Sequence, residues 1–307
     1  MRRLSLLVGA GDAGERLDRF VAARGGISRG LARRALDAGG VFLDGRRCKV
    51  AGRALRAGQR VVVNLAEGGR AAASAPGLDR SRLLHADEHL AAVDKPAGLP
   101  SQATLTSDRG TLPDLAARLV GGAVEVVHRL DRETSGVVVL ARTREAAAAL
   151  AEAFRRGEPE KTYLALCARA PEPPDGRIDA PLGKDPRRAG SRRVARGGDE
   201  AATRYRTLAA GPGGALVEAR PETGRTHQIR VHLAHLGAPI LGDPRYGGPR
   251  RAGDVEVPRV MLHALRLEIA HPVTGERLVL EAPVPEDFRA VEGAVLAHPG
   301  PRSGARS

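Results

Sequence analysis

Apolar positions along the chain change their rhythm twice. In residues 14–65 the spacing is first helical: Leu17, Phe20 and Val21 share one face of a helix over 16–24 that Gly25 and Gly26 stop. Ser28 is placed to cap a second helix with the stripe Leu31, Ala35 and Leu36, ended by Gly39 and Gly40, and Arg29, Arg33 and Arg34 lie off that stripe. The pattern then becomes extended, with VFLDGRRCKV reading as a strand with an Asp-Gly turn and QRVVVNL as another strand. Residues 66–78 are small, Gly-, Ala- and Pro-rich and without period, which predicts a linker. From Leu83 onwards strands dominate: two short ones in LLHADEHLAAVDKP, a buried one in SGVVVLAR, and more in YLALCA, ATRYRTLAA, ALVEAR, LHALRLEIA and RLVLEAPV. Only two helices interrupt them, TREAAAALAEAFRRG capped by Thr143 and TGRTHQIRVHLAHLG after Thr223. Many strands with few, separated helices predict an α+β domain on a mostly antiparallel, mixed sheet over 79–290, preceded by a small α/β module at 14–65 and followed by a partly disordered tail at 291–307.

Charge sharpens this division. The 307 residues carry a net +13, and residues 1–65 hold 14 Lys and Arg against 5 Asp and Glu, a net +9 in a fifth of the chain. Such asymmetry marks the amino-terminal module as the side that faces a polyanion, with Arg29, Arg33 and Arg34 as its candidate nucleic-acid contacts. With four Phe, three Tyr and no Trp, a platform of stacked aromatics for single strands is excluded as the main device, and backbone contacts carry the binding. No apolar run approaches the ~20 residues that span a bilayer, and the start is too soon charged for a signal peptide; a cytoplasmic protein without membrane contact is expected. Cys48 and Cys167 stand alone, without the spacing of a disulfide framework or a thiolate metal site.

The stretch HRLDRETSG, 128–136, crowds ionisable side chains at the mouth of the apolar strand from Val137. A carboxylate there, Asp131, can project from a rigid edge as nucleophile or general base; equally, Asp131 and Thr134 can organise a turn through side-chain hydrogen bonds. HRLDRETSG resembles the motif of the RluA family of pseudouridine synthases. DKPAGLPS (94–101), EKTYLAL (160–166), RPETGRTHQIRVHLAHLGAPILGDPRYGG (220–248) and LHALRLEIAHPVTGE (262–276) resemble the family's other segments in the family's order. The helix-helix-strand module resembles the small RNA-binding domain of a primary small-subunit ribosomal protein. The resemblance implies a cofactor-independent isomerase that converts uridine to pseudouridine in structured RNA, with ribosomal RNA favoured over transfer RNA, acting as a monomer. It implies Asp131 as catalytic carboxylate, Arg225 as the cation paired with it across 94 residues of sequence, and Tyr163 as the ring stacked on the base. Arg129 is implied to help eject the target nucleotide, with Arg230 and Leu262 on the substrate side.

Three other readings compete. GAGDAG after LSLLV is a literal GxGxxG followed by a helix, as in a nicotinamide-dependent oxidoreductase, but the helix breaks at Gly25 and Asp44 lies 30 residues beyond Gly14 instead of about 20. A metal site from His227, His232 and His235 lacks a completing carboxylate or an HExxH spacing, so none is expected. A non-catalytic RNA-binding protein would need no Asp131, Tyr163 and Arg225 together.

Overall fold

The computed structural model describes residues 2–65, 77–103 and 105–297. The linker expected at 66–78 lies outside the described residues except for its last two positions, as does the tail beyond 297. The chain divides into two compact units, Met1–Gly77 with Pro100–Leu115, and Leu78–Leu99 with Ala116–Ser307.

In the first unit, strand β1 (Arg2–Leu7) is followed by helices α1 (Leu17–Gly25) and α2 (Arg29–Ala38) and strands β2 (Val41–Leu43), β3 (Arg46–Arg47) and β4 (Arg60–Leu65). Both helices end on a left-handed glycine, Gly26 and Gly39, and Ser28 Oγ accepts the Leu31 N–H as the cap of α2. The sheet runs β1-β4-β2-β3, antiparallel throughout, and Asp44 and Gly45 turn β2 into β3 at positive φ. Leu17, Phe20, Val21, Leu36, Val41, Val61 and Val63 form its core. Because β1 pairs antiparallel with β4, GAGDAG does not open a parallel βαβ crossover; it forms a 3-10 turn at Ala10–Asp12 with Asp12 bound to Arg24. The unit thus exceeds the expected 14–65 on both sides: β1 belongs to its sheet, and Pro100–Leu115 joins it through Asp108, whose N–H donates to the Ala38 carbonyl and whose carboxylate takes Lys49 at 2.7 Å.

Of the three arginines singled out on α2, Arg29 and Arg33 both donate to Asp18 Oδ2 at 3.1 Å, and Arg16 binds Oδ1 at the same distance. The Asp18 side chain is fully buried. Burial alone would raise its carboxyl, but the three guanidiniums outweigh that and hold it well below the usual range. Arg34 is exposed.

The second unit contains β5 (Leu83–Ala86) and β6 (Leu90–Lys95), then, after α3 (Leu112–Leu119), β7 (Glu125–Val126), β8 (Ser135–Ala141), α4 (Arg144–Arg156) and β9 (Glu160–Cys167). There follow β10 (Asp175–Asp179), β11 (Leu182–Lys184), β12 (Arg192–Val194), β13 (Ala202–Gly211), β14 (Gly214–Pro221) and α5 (Gln228–His235). The last elements are β15 (Arg251–Ala252), β16 (Val255–Glu256), β17 (Leu262–Ala270), β18 (Arg277–Glu281) and α6 (Glu286–Leu296). Ten strands form one sheet, ordered β10-β13-β14-β9-β17-β8-β6-β5 with β18 beside β17 and β7 beside β8. Every pairing is antiparallel except β8 with β17, so the fold is α+β on a mixed, mostly antiparallel sheet. All seven residues of β8 are buried, which explains its unbroken apolar run. Thr143 caps α4 as expected, its hydroxyl accepting the Ala146 N–H.

Two boundaries differ from the sequence reading. The domain end placed at 290 falls inside α6, whose Phe288, Val291 and Val295 are buried in the main core. The helix placed after Thr223 begins only at Gln228. The Thr223 hydroxyl is taken by the Ala202 N–H and by Gln228 Oε1, and His227, at φ +60°, turns the chain immediately before the helix.

Gly136 marks one of the tightest points of the sheet. It adopts φ +115°, and a Cβ there would lie 2.1 Å from the Ala264 carbonyl oxygen of β17. Gly136→Ala should therefore combine backbone strain with overpacking, a loss on the order of 3–5 kcal/mol, read as a lowered urea midpoint; an unchanged midpoint would show that β8 and β17 separate freely.

Candidate active site

Asp131 lies in the loop that leads into β8, and both ends of that loop are anchored. On one side His128 Nε2 accepts the Val139 N–H of β8 at 2.9 Å, and its ring stacks on Phe154 of α4 at 4.3 Å. Burial, then the charge of Lys161, pulls the imidazole down to about 3, so His128 is neutral and its proton sits on Nδ1. On the other side the fully buried Lys95 donates to three carbonyls, Pro96 at 3.1 Å, Leu99 at 3.0 Å and Arg132 at 3.2 Å. Gly98 N–H closes the same corner on Arg132 O at 2.7 Å. Burial draws the Lys95 amine down to about 7, against the opposing pull of Asp131 and Glu133. The turn at Asp131 is closed by backbone, Thr134 N–H to Asp131 O at 3.1 Å. The Asp131 carboxylate is thereby left for a partner elsewhere.

That partner is Arg230, in the first turn of α5. Its Nη1 donates to Asp131 Oδ2 at 3.0 Å, while Nε and Nη2 grip Asp243 at 2.6 and 2.9 Å. The guanidinium is only 5% exposed and Asp243 1%. Burial would lower Arg230, but Asp243 first and Asp131 next outweigh it and push it up, so the cation is permanent. Tyr246 lies 5.2 Å under the guanidinium, and its Oη is 2.6 Å from His227 Nδ1 while accepting the Arg192 N–H at 3.0 Å. His227 Nε2 stands 3.8 Å from Asp131 Oδ2, and burial draws the imidazole down despite the attraction of Asp131.

Arg230 and His227 line a cavity of about 350 Å³ with Val127–Asp131, Phe154, Arg155, Lys161, Tyr163, Thr223–Arg225 and Leu262. All six residues assigned from the sequence to catalysis or substrate, Asp131, Tyr163, Arg225, Arg129, Arg230 and Leu262, border it. Tyr163 projects from β9 between β14 and β17. Burial, then the Asp131 charge, raises its phenol far above the ordinary range, so it stays protonated. Arg129 is exposed at the rim, and Leu262 is buried.

One pairing is corrected. Arg225 does not bind Asp131: it is exposed, and its Nε donates to the Glu200 carbonyl at 2.9 Å. The cause is the late start of α5, which leaves Arg225 in the preceding loop and turns Arg230 inward. Asp243 and Tyr246 escape the sequence reading, although a buried arginine needs a second carboxylate and GDPRYGG offers one. His232, weighed as a metal ligand, is buried with Nδ1 at 2.9 Å from Thr203 Oγ1 and Nε2 at 3.0 Å from Ala180 O. Among the described residues no group of three or more His, Cys, Asp or Glu is arranged to hold a metal ion, and no helix is long and apolar enough to cross a membrane.

A carboxylate paired with a buried arginine, beside a protonated tyrosine and an apolar wall, is a setting for general-base or nucleophilic chemistry. A family model described as RNA pseudouridylate synthase matches residues 89–235, and an S4 domain model matches 15–61. The chain is 37% identical over 242 residues to the RNA pseudouridine synthase YhcT of Bacillus subtilis, covering 76% of this chain and 78% of that one. It is 39% identical over 231 residues to the ribosomal large subunit pseudouridine synthase D of Xanthomonas campestris, covering 69% of each. The solved structure of human RNA pseudouridylate synthase domain containing 4 superimposes with a TM-score of 0.58 at 31% identity, over 70% of this chain and 93% of that one. The chain belongs to the RNA pseudouridylate synthase family. It is an RNA pseudouridine synthase of the RluA type with an amino-terminal S4 domain.

Two measurements test the site. Arg230→Lys cannot span both carboxylates and should lower pseudouridine formation on the order of 10²-fold through misplacement of Asp131, while Arg225→Lys loses much less; the reverse order would restore Arg225 as the partner. Lys95 binds its proton less tightly folded, at about 7, than at its usual 10.5. The unfolded chain therefore holds more proton in between, and stability rises with pH across that window. Urea unfolding at pH 7 to 10 should show this gain in the natural protein and a flatter profile in Lys95→Met.

Proposed function

We propose that this enzyme isomerises uridine in structured ribosomal RNA, with Asp131 as the catalytic carboxylate. In the isomerisation the bond from ribose C1′ to uracil N1 breaks, the base turns, and C1′ joins C5. C5 releases a proton and N1 gains one, so atoms and electrons balance without a redox partner. Asp131 acts on the ribose, either by attack at C1′ or by removing a sugar proton. Arg230 supports it by keeping a full positive charge 3.0 Å away. Tyr163 stacks on the uracil, and its phenol, protonated in this setting, lies beside the ring; Leu262 closes the apolar side. Arg129 at the exposed rim enters the RNA helix as the target nucleotide leaves it, a step that costs a few kcal/mol and least for unpaired nucleotides. The S4 domain, with Arg29, Arg33 and Arg34 on α2, supplies affinity for a large folded RNA. The enzyme works as a monomer in the cytoplasm, without metal.

The observation that carries this reading is the Asp131–Arg230 pair, held from behind by Asp243, in the wall of a cavity that Tyr163 also lines. The ribosomal substrate is supported by relatives named ribosomal large subunit pseudouridine synthase D. Pseudouridine-specific chemical mapping of total RNA, from cells with and without the gene, should show one or a few large-subunit sites that vanish; loss confined to transfer RNA would transfer the substrate there. Asp131→Asn should bind the same RNA yet form pseudouridine at least about 10²-fold more slowly. Undiminished turnover in that variant would remove Asp131 from the chemistry.

A further inference from the structure

At the catalytic end of the cavity the one buried arginine, Arg230, is shared between Asp131 and the fully buried Asp243 behind it. That balance does not welcome a phosphodiester. Of the cavity's other cations, Arg129 stands exposed at the rim, Arg155 is held by Glu152, its Nε at 2.8 Å, and Arg225 by the Glu200 carbonyl. Lys161 is different. It lines the same cavity from β9, is drawn below its usual pKa by burial alone, and makes no ion pair or side-chain hydrogen bond among the described residues. The same cavity wall includes Val127, Phe154 and the neutral His128. A partly desolvated ammonium without a counter-ion is costly, and an anionic ligand removes that cost.

Lys161 and Tyr163 lie two residues apart on one strand, so their side chains leave the same face about 7 Å apart, a separation comparable with that between a base and a phosphate of its own strand. We propose that Lys161 is a phosphate-binding residue, its Nζ taking a non-bridging oxygen of the phosphodiester beside the nucleotide whose base stacks on Tyr163. This rests on the cavity being where the flipped uridine enters. Lys161 thus replaces on the RNA backbone the charge that Asp131 and Asp243 withhold.

The test is Lys161→Met, which keeps the stem and removes the charge. Binding of a large-subunit ribosomal RNA fragment containing the mapped uridine is measured against salt in an Asp131→Asn background, with and without Lys161→Met. The slope of log K against log salt should fall in magnitude by about 0.7–0.9, one phosphate contact. In the otherwise natural protein Lys161→Met should raise KM roughly 10-fold with kcat little changed, as for a contact made equally in ground and transition states, and Lys161→Arg should recover part of it. The melting temperature of Lys161→Met should equal or exceed that of the natural protein, since a desolvated charge is gone. An unchanged slope overturns the proposal: with kcat alone reduced it assigns Lys161 to the base, and with a lowered melting temperature to the scaffold. Turnover retained by Asp131→Asn would instead overturn the catalytic reading, while the slope difference still reads Lys161.

Discussion

A single buried guanidinium organises this active site. Arg230 is held by Asp243 through two parallel hydrogen bonds, a geometry that fixes its plane, and what remains of its fork is presented to Asp131. Removing either the bidentate partner or the arginine would leave an unpaired charge out of water, which costs about 3–5 kcal/mol. The arrangement is thus as much a constraint on folding as on chemistry: the loop of Asp131, helix α5 and the turn at Asp243 must arrive together.

The scaffold meets that requirement by making the Asp131 loop rigid from both ends. His128 ties it to β8, and Lys95 gathers the carbonyls of the neighbouring corner. Burial draws both groups towards their neutral forms, and the Lys95 donors are spent on three backbone carbonyls, so neither anchor takes the place of Arg230 at the Asp131 carboxylate. The charged crowd in HRLDRETSG therefore divides into three roles, with a neutral histidine that staples, a rim arginine, and one carboxylate that faces the cavity.

Much of this was legible along the chain because it is local. Ser28 and Thr143 cap the helices where their spacing says, and the unbroken apolar run of β8 is buried on both faces. The identity of the Asp131 partner was not legible, because Arg225 and Arg230 sit in one segment and only the start of α5 decides which turns inward. That start is set by the Thr223 hydroxyl, which donates to Gln228 five residues on and accepts from Ala202, 21 residues back and outside any local window. Helix α6 does leave a local signal, since Phe288, Val291 and Val295 recur at helical spacing behind Pro285, but it lies across the expected domain end. The reach of the S4 unit to residues 2–7 and 100–115 rests on pairing between segments distant in sequence.

The parallel join of β8 and β17 has a consequence in time. It brings Gly136 against Ala264, and the cavity wall likewise draws on residues from 127 to 262. Contacts of such long sequence separation form late, since the loop must close before they return any stabilisation. A nascent chain halted before β17 already contains the residues of its S4 domain and Asp131 but lacks Leu262 of the cavity wall and the strand that pairs parallel with β8, so the cavity cannot be complete until that strand is made.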